Sequence, residues 1–287
     1  MPTVVLADRA FVSVSGPDAE HFLQSILTTD LTALPQGVAR PGALLTPQGK
    51  ILFDFLIGRA GSDGFVLECR SAIADDFMRR LMLYKLRAKV TIGRGDAGAT
   101  QVAWGDDAAT SAAGVDVLRD ARFPEALGVT RRPVAEAAAG DDLSAWTRLR
   151  IAHGVAESGS DYALPDAFPH DILYDQNGGV GLRKGCYVGQ EVVSRMHHRG
   201  TARRRVLVAE GDGVLPEAGT PVLAQGRPAG TLGSVAGSAG LAVVRIDKVK
   251  AAMDAGEAVT AGGVALALSI PPGMGFGFPE TTAGEEP

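Results

Sequence analysis

The chain alternates between two hydrophobic periods, and the switches between them outline its elements. Near the start, VSGPDAEHFLQSIL places Phe22, Leu23, Ile26 and Leu27 in one apolar stripe at helical spacing. Ser15 three residues ahead of Asp18, with Pro17 in the first turn, predicts where that helix begins. From Ala39 to Arg70 the period shortens. GALLT, KILFDFLIG and FVLECR read as strands separated by the turn formers PQG and GSDG. Residues 72–87, AIADDFMRRLMLYKLR, return to helical spacing and are expected to pack on that sheet. KVTIG and QVAWG predict short strands within 89–105, and the remainder of 95–140 is largely Ala/Gly/Asp-rich spacer. A helix is expected from Asp142 to about His153, with Leu143, Trp146, Leu149 and Ile151 on its inner side. Residues 154–182 are irregular and rich in Gly, Pro and Asp. A stretch of that length inside a compact domain is usually functional or poorly ordered.

After residue 200 the texture changes. RRVLVAE, TPVLAQ, AGTLGSV, GLAVVRI and GVALALSI are five short strands at regular intervals with Gly-containing turns, the pattern of a small antiparallel barrel or sandwich. The main boundary is placed near Thr201. This gives a region of residues 1–200, a β domain over 201–273, and a flexible tail over 274–287 that ends in the acidic FPETTAGEEP. The expected fold class is α+β.

Composition narrows the classes. At 287 residues the chain exceeds one comfortable core, and 37 glycines with 16 prolines favour turns and short strands over a helical bundle. A net charge of −5 argues against a wholly nucleic-acid-binding surface. Two cysteines make no disulfide framework and no self-contained metal cage. The N-terminus lacks a secretory pattern and no long apolar run is present, so a cytoplasmic, reducing setting is expected, with no membrane partner.

Three features carry candidate chemistry. Cys69, inside the apolar strand FVLECR, reads as a core residue. Cys186, in KGCYVGQE (184–191), has small neighbours in Gly185 and Gly189, and Lys184 nearby would favour its thiolate. Local chemistry leaves open whether it is a functional thiol or a small buried hydrophobe. Residues 183–205 carry seven Lys/Arg against the single acid Glu191, an island of +6 in an acidic chain. It reads either as a solvated basic face or as a seat for a phosphate, a polyglutamate chain or an RNA backbone. The pair His197–His198 lacks Asp, Glu or Cys at ligand spacing, so no metal site is predicted. Asp166, Asp171 and Asp175 suit turn chemistry, or a carboxylate that accepts two N–H donors from a pterin or purine edge. Nucleotide-binding glycine motifs are missing from the sequence.

KGCYVGQE followed by SRMHHRG resembles the signature of the YgfZ-type folate-binding proteins, a group that includes mitochondrial iron–sulfur assembly factors. These are relatives of the T-protein of glycine cleavage, a tetrahydrofolate-dependent aminomethyltransferase. Four further segments are similar to the family in the same order: FLQSILTTDL (22–31), TPQGKILFDF (46–55), LYKLRAKV (83–90) and RLRIAHGV (148–155).

The resemblance implies a T-protein-like arrangement of three modules around an opening, two of them α/β and N-terminal and holding folate, closed by a C-terminal β-barrel. Pro169-His170-Asp171 matches a segment whose acid grips the pterin in the T-protein relatives, and Arg150 matches an arginine near their folate site. Asp75 and Asp76 fall near the position of the transferase's catalytic aspartate, where they also suit a helix start. The cysteine belongs to the non-transferase branch. The expected function is therefore a tetrahydrofolate-binding accessory protein for assembly or repair of iron–sulfur clusters in client proteins, with an indirect role in tRNA modification and no classical enzyme activity. Cys186 would be its functional thiol, in transient contact with a cluster. Asp171, Arg150, Lys184, Tyr187, Gln190, Arg195 and Arg199 would bind the folate. The alternatives are a folate-dependent aminomethyltransferase or demethylase, and an RNA-binding module.

Overall fold

The computed structural model describes residues 2–105, 117–135 and 142–279. Residue contacts divide the chain into two compact units, one of Met1–Leu143 with Asn177–Val192 and one of Ser144–Gln176 with Val193–Pro287.

In the first unit, strands β1 (Thr3–Leu6), β2 (Arg9–Ser15), β3 (Val38–Leu45), β4 (Ile51–Ala60), β5 (Gly64–Arg70), β6 (Thr91–Arg94), β7 (Ala99–Ala103), β8 (Leu118–Asp120) and β9 (Thr130–Val134) form one sheet. Their order is β1-β7-β9-β8-β3-β4-β5-β2-β6, and β3 with β8 is its parallel pair. Helices α1 (Ala19–Ile26) and α2 (Ser71–Lys85) share a core with its central strands. Phe77 of α2 lies 5.2 Å from Phe53 and 5.3 Å from Phe55 between ring centroids. The apolar stripe read from the sequence points inward, with Phe22, Leu23 and Ile26 buried. The helix start differs from the expectation. Ser15 ends β2, and the Asp18 carboxylate accepts the backbone N–H of Lys89 rather than capping α1.

The same sheet holds a buried charge network. Arg131 Nε donates to Glu68 at 3.0 Å, and Arg122 Nη2 donates to Asp120 at 2.7 Å. Burial alone would raise both carboxyl pKa values. The guanidiniums of Arg131 and Arg122 outweigh it and hold Glu68 and Asp120 below their usual range.

The second unit contains helix α3 (Ser144–Ala152), the irregular segment that follows it, and a closed antiparallel barrel. Helix α4 (Gln190–His198) runs across the sequence division between Val192 and Val193. The barrel strands are β10 (Arg204–Gly211), β11 (Pro221–Ala224), β12 (Arg227–Ala236), β13 (Ala239–Arg245), β14 (Val259–Ala261) and β15 (Val264–Ser269). Their order is β10-β13-β12-β11-β14-β15, and β15 pairs back to β10 to close the cylinder. The α+β class with a C-terminal antiparallel barrel is thus as expected.

Six strands close the barrel where five were read, because Val259–Ala261 is only three residues long and leaves almost no pattern. Helix α5 (Ile246–Asp254) was also unread, although Ile246, Val249 and Ala252 repeat at helical spacing and are buried. Residues at the start of the expected flexible tail make contacts with the second unit. Phe276 and Phe278 pack against the barrel core and Gly275 donates its N–H to Gln176, while the residues from 280 onward lie outside the described ones. Among the described residues, no helix is long and apolar enough to cross a membrane.

Candidate functional site

In the first unit, KGCYVGQE is a surface segment pinned by two inward side chains. Lys184 and Tyr187 are buried, whereas Gly185 and Cys186 between them are exposed. The Lys184 ammonium donates to the carbonyls of Leu27 (2.6 Å) and Thr29 (2.9 Å) just past α1, and it lies 5.2 Å from the centre of the Tyr187 ring. Helix C-termini attract cations, which explains why a lysine is tolerated there. Burial still lowers its pKa to about 8, against a raising effect of Asp30, and burial raises the Tyr187 hydroxyl to about 12. Two of the three N–H donors of Lys184 engage backbone carbonyls that fasten the segment.

The turn TPQGK provides the second fastening. Gly49 N–H donates to Thr46 at 2.9 Å and Thr46 N–H to Lys50 at 2.8 Å, which closes a tight loop. Gly189, at φ +78°, lies against this loop so closely that a Cβ would meet Thr46 O at 2.6 Å and Gly49 Cα at 3.1 Å. Gly49 in turn has φ +81° and abuts Val192. Two segments that resemble the family separately in sequence thus form one packed feature. Thr28 completes it by donating its hydroxyl to Gly179 at 2.7 Å and receiving the Ala43 N–H at 2.9 Å. Thr28, Thr46 and Gly49 carry no local mark of this packing role, and the signal for them is that they lie in the segments similar to the family.

The result is an exposed thiol on a turn fastened at both sides. Cys69 is its opposite, enclosed in β5. Burial first, then the Asp54 and Glu68 charges, push its thiol up to about 12.

The second unit contains Arg150, Asp171, Arg195 and Arg199. Arg150 is buried and donates to Asp161 (2.9 Å), to the Val155 carbonyl (2.9 Å) and to Ser234 (2.8 Å). Asp161 in turn accepts the Ser234 and Glu157 N–H groups at 2.6 and 2.7 Å. This arginine is a clasp between α3, its following loop and β12. Asp171 is also buried. It accepts the Phe168 N–H at 3.0 Å and lies 3.6 Å from Arg204 Nε, and burial lifts its carboxyl to about 6. Beside it, His170 is fully enclosed with no hydrogen-bond partner on either ring nitrogen, and burial lowers its pKa to about 4. Arg195 and Arg199 are exposed, on and just after the last turn of α4, while Gln190 at its start is half-buried.

The basic island is much less available than its charge count implies. Arg204 faces Asp166 and Asp171, Arg205 donates to Asp175 at 2.6 Å, and Arg203 is 3.9 Å from Asp247. Aspartates of the irregular stretch are the partners of Arg204 and Arg205. Asp75 and Asp76 are exposed in the second turn of α2, paired with Arg94 and Arg79. A helix-start role is therefore replaced by surface ion pairing, and no enclosed acid stands there.

Residues 8–108 match the GCVT N-terminal domain, and residues 203–276 match the CAF17 C-terminal beta-barrel domain. The iron-sulfur cluster assembly factor IBA57 homolog, mitochondrial, of Pyricularia oryzae is 32% identical over 278 residues, covering 84% of this chain and 71% of that protein. The chain belongs to the IBA57 family. It is also similar to the iron-sulfur cluster assembly factor IBA57, mitochondrial, of Mus musculus (30% identical, 85% of this chain and 78% of the relative) and of Homo sapiens (29%, 93% and 83%). The resemblance to YgfZ-type proteins is accordingly resolved to the related IBA57 branch. Among solved structures, glycine cleavage system aminomethyltransferase T from Bartonella henselae matches with a TM-score of 0.72 at 18% identity, covering 94% of this chain and 85% of that one. That likeness is one of fold. Of the two cysteines, Cys186 is the exposed one.

Proposed function

We propose that this protein serves in the assembly or repair of iron–sulfur clusters, with Cys186 as its working thiol. The observation that carries the reading is the presentation of Cys186. An exposed sulfur sits on a turn held by the buried Lys184 and Tyr187 and by the Gly49–Gly189 contact. A thiolate is a soft ligand suited to iron–sulfur chemistry, and it must be accessible to meet a cluster carried by another protein. The IBA57 relatives are named as assembly factors, which supports the same reading. Client proteins would be iron–sulfur enzymes, including those through which transfer RNA is modified.

Tetrahydrofolate or a derivative is the small-molecule partner in this proposal, with the buried Asp171 carboxylate as the acceptor for its pterin edge. Arg150 would contribute by holding the α3 region in shape, since its donors are engaged within the protein.

Two measurements test the two halves. A strain lacking its own homologue is supplied with the native chain or with Cys186→Ala, and the activity of an iron–sulfur enzyme is followed. The native chain should restore it and the variant should not; full recovery with the variant removes the thiol role. Calorimetric titration with tetrahydrofolate should give saturable heat for the native chain and a loss with Asp171→Ala. Flat heats for the native chain remove the folate partner.

A further inference from the structure

The side chains of His170, Asp175 and His197, all in the second unit, bring their ligating atoms within 4.8 Å of one another. The His170 ring is completely enclosed, and neither Nδ1 nor Nε2 has a hydrogen-bond partner. Buried polar nitrogens are costly when left unsatisfied, and their exceptions commonly mark a place where something binds. His197 offers its ring from the last turn of α4, with 6.3 Å between the two imidazole centroids. Both histidines line a cavity of about 500 Å³ that is also bounded by Met196, Arg203, Asp247 and Lys250.

We propose that His170, His197 and Asp175 form a binding site for a divalent transition-metal ion of the zinc or ferrous class. Two imidazoles and one carboxylate are the donor set of open mononuclear sites, which leave further coordination positions for water or a ligand. Here those positions would face the cavity. Metal bonds of about 2.0–2.2 Å require ligand atoms roughly 3.5 Å apart, so loading closes the triad by about 1 Å. His197 is exposed and has room to make that movement.

The oxygens of Asp175 are oriented by Arg205 Nη1 at 2.6 Å and by Gln176 Nε2 at 2.7 Å. Such outer hydrogen bonds are the usual means of holding a ligating carboxylate. The cations on the cavity wall do not add up to an anion seat. Arg205 is committed to Asp175 and to the His170 carbonyl, Lys250 is paired with Asp254, and Arg203 faces Asp247. The histidine pair supplies only one of the ligands. The other two come from a loop more than twenty residues earlier, so spacing within HH could not reveal them.

The test uses full-length protein carrying Cys186→Ala, stripped with a chelator, so that the exposed thiol cannot contribute. Co²⁺ is followed by its visible absorption and Zn²⁺ by calorimetry. One equivalent of each should bind, with no sulfur-to-cobalt absorption, and His197→Ala should weaken binding at least about tenfold. His170→Gln should do the same where it folds; the exposed His197→Ala keeps the test decisive where it does not. Failure of the Cys186→Ala protein to bind either ion, or unchanged affinity in His197→Ala, would overturn the site. Saturable binding of inorganic phosphate, lost in His197→Ala, would also overturn it by making the cavity an anion site. None of these outcomes bears on the cluster-assembly role of Cys186.

Discussion

Arg150 and Asp161 form a buried ion pair, with Nη1 and Oδ2 2.9 Å apart and both side chains almost without solvent contact. Every neighbour of the pair reinforces it. The Val155 carbonyl and the Ser234 hydroxyl accept from the guanidinium, while the Ser234 and Glu157 N–H groups donate to the carboxylate. Truncating one partner of such a pair leaves an uncompensated charge in a closed space, at a cost of about 3–5 kcal/mol. Asp161→Ala should lower the unfolding free energy by that amount in a denaturant titration, and Arg150→Ala similarly. The double variant should cost less than the two singles added together. Additive losses would mean that the two groups act independently.

Gly189→Ala tests the contact between the two matched segments. The substitution would combine a left-handed backbone, at φ +78°, with a Cβ 2.6 Å from a backbone oxygen that cannot turn aside. Gly200 is the control, because it has φ +61° but open space around a Cβ. Gly200→Ala should cost about 1 kcal/mol for conformation alone. Gly189→Ala should cost about 2–3 kcal/mol or more and should also alter the alkylation rate of Cys186. Equal effects at the two positions would show that the Gly49–Gly189 approach is not restrictive.

The two thiols should separate cleanly by reactivity. With a water-soluble disulfide reagent near neutral pH, one equivalent of thiol should react at once, from Cys186. The second should appear only on unfolding, since Cys69 is enclosed and its pKa is pushed up to about 12. Cys186→Ala should abolish the fast phase and change stability by no more than about 0.5 kcal/mol. Two fast equivalents, or none, would contradict the placement of the sulfurs.

These expectations also mark what the sequence could reveal. Period switching located the strands from Ala39 to Arg70 and helices α1, α2 and α3, because each has a buried face long enough to repeat. It missed Val259–Ala261, which is too short to alternate, and it passed over α4, whose one fully buried residue is Val193. The site divides in the same way. Cys186 was visible as a thiol among glycines, a local property. That Lys184 turns inward to the end of α1 depends on residues more than 150 positions away, as does the pairing of Gly49 with Gly189 across 140. Charge counting misjudged the basic island because the acids that neutralise it lie chiefly in a different segment, 166–175.

Lys184 gives the pH dependence. Burial lowers its folded pKa to about 8, against an ordinary value of 10.5. Below pH 8 the ammonium is charged in both the folded and unfolded chain, and the full burial penalty is present. Between pH 8 and 10.5 the folded chain has released the proton while the unfolded chain still binds it, so stability contributed by this residue rises with pH. Lys184→Met keeps the length of the side chain and removes the titration. The unfolding free energy of the native chain minus that of Lys184→Met should be flat from pH 6 to about 7.5. It should then increase by up to roughly 3 kcal/mol toward pH 10.5. A difference that falls would mean that the carbonyl hydrogen bonds outweigh burial, whereas a flat difference would place the ammonium in water rather than against the Leu27 and Thr29 carbonyls. In that case the anchor beneath the Cys186 turn would have to be sought elsewhere.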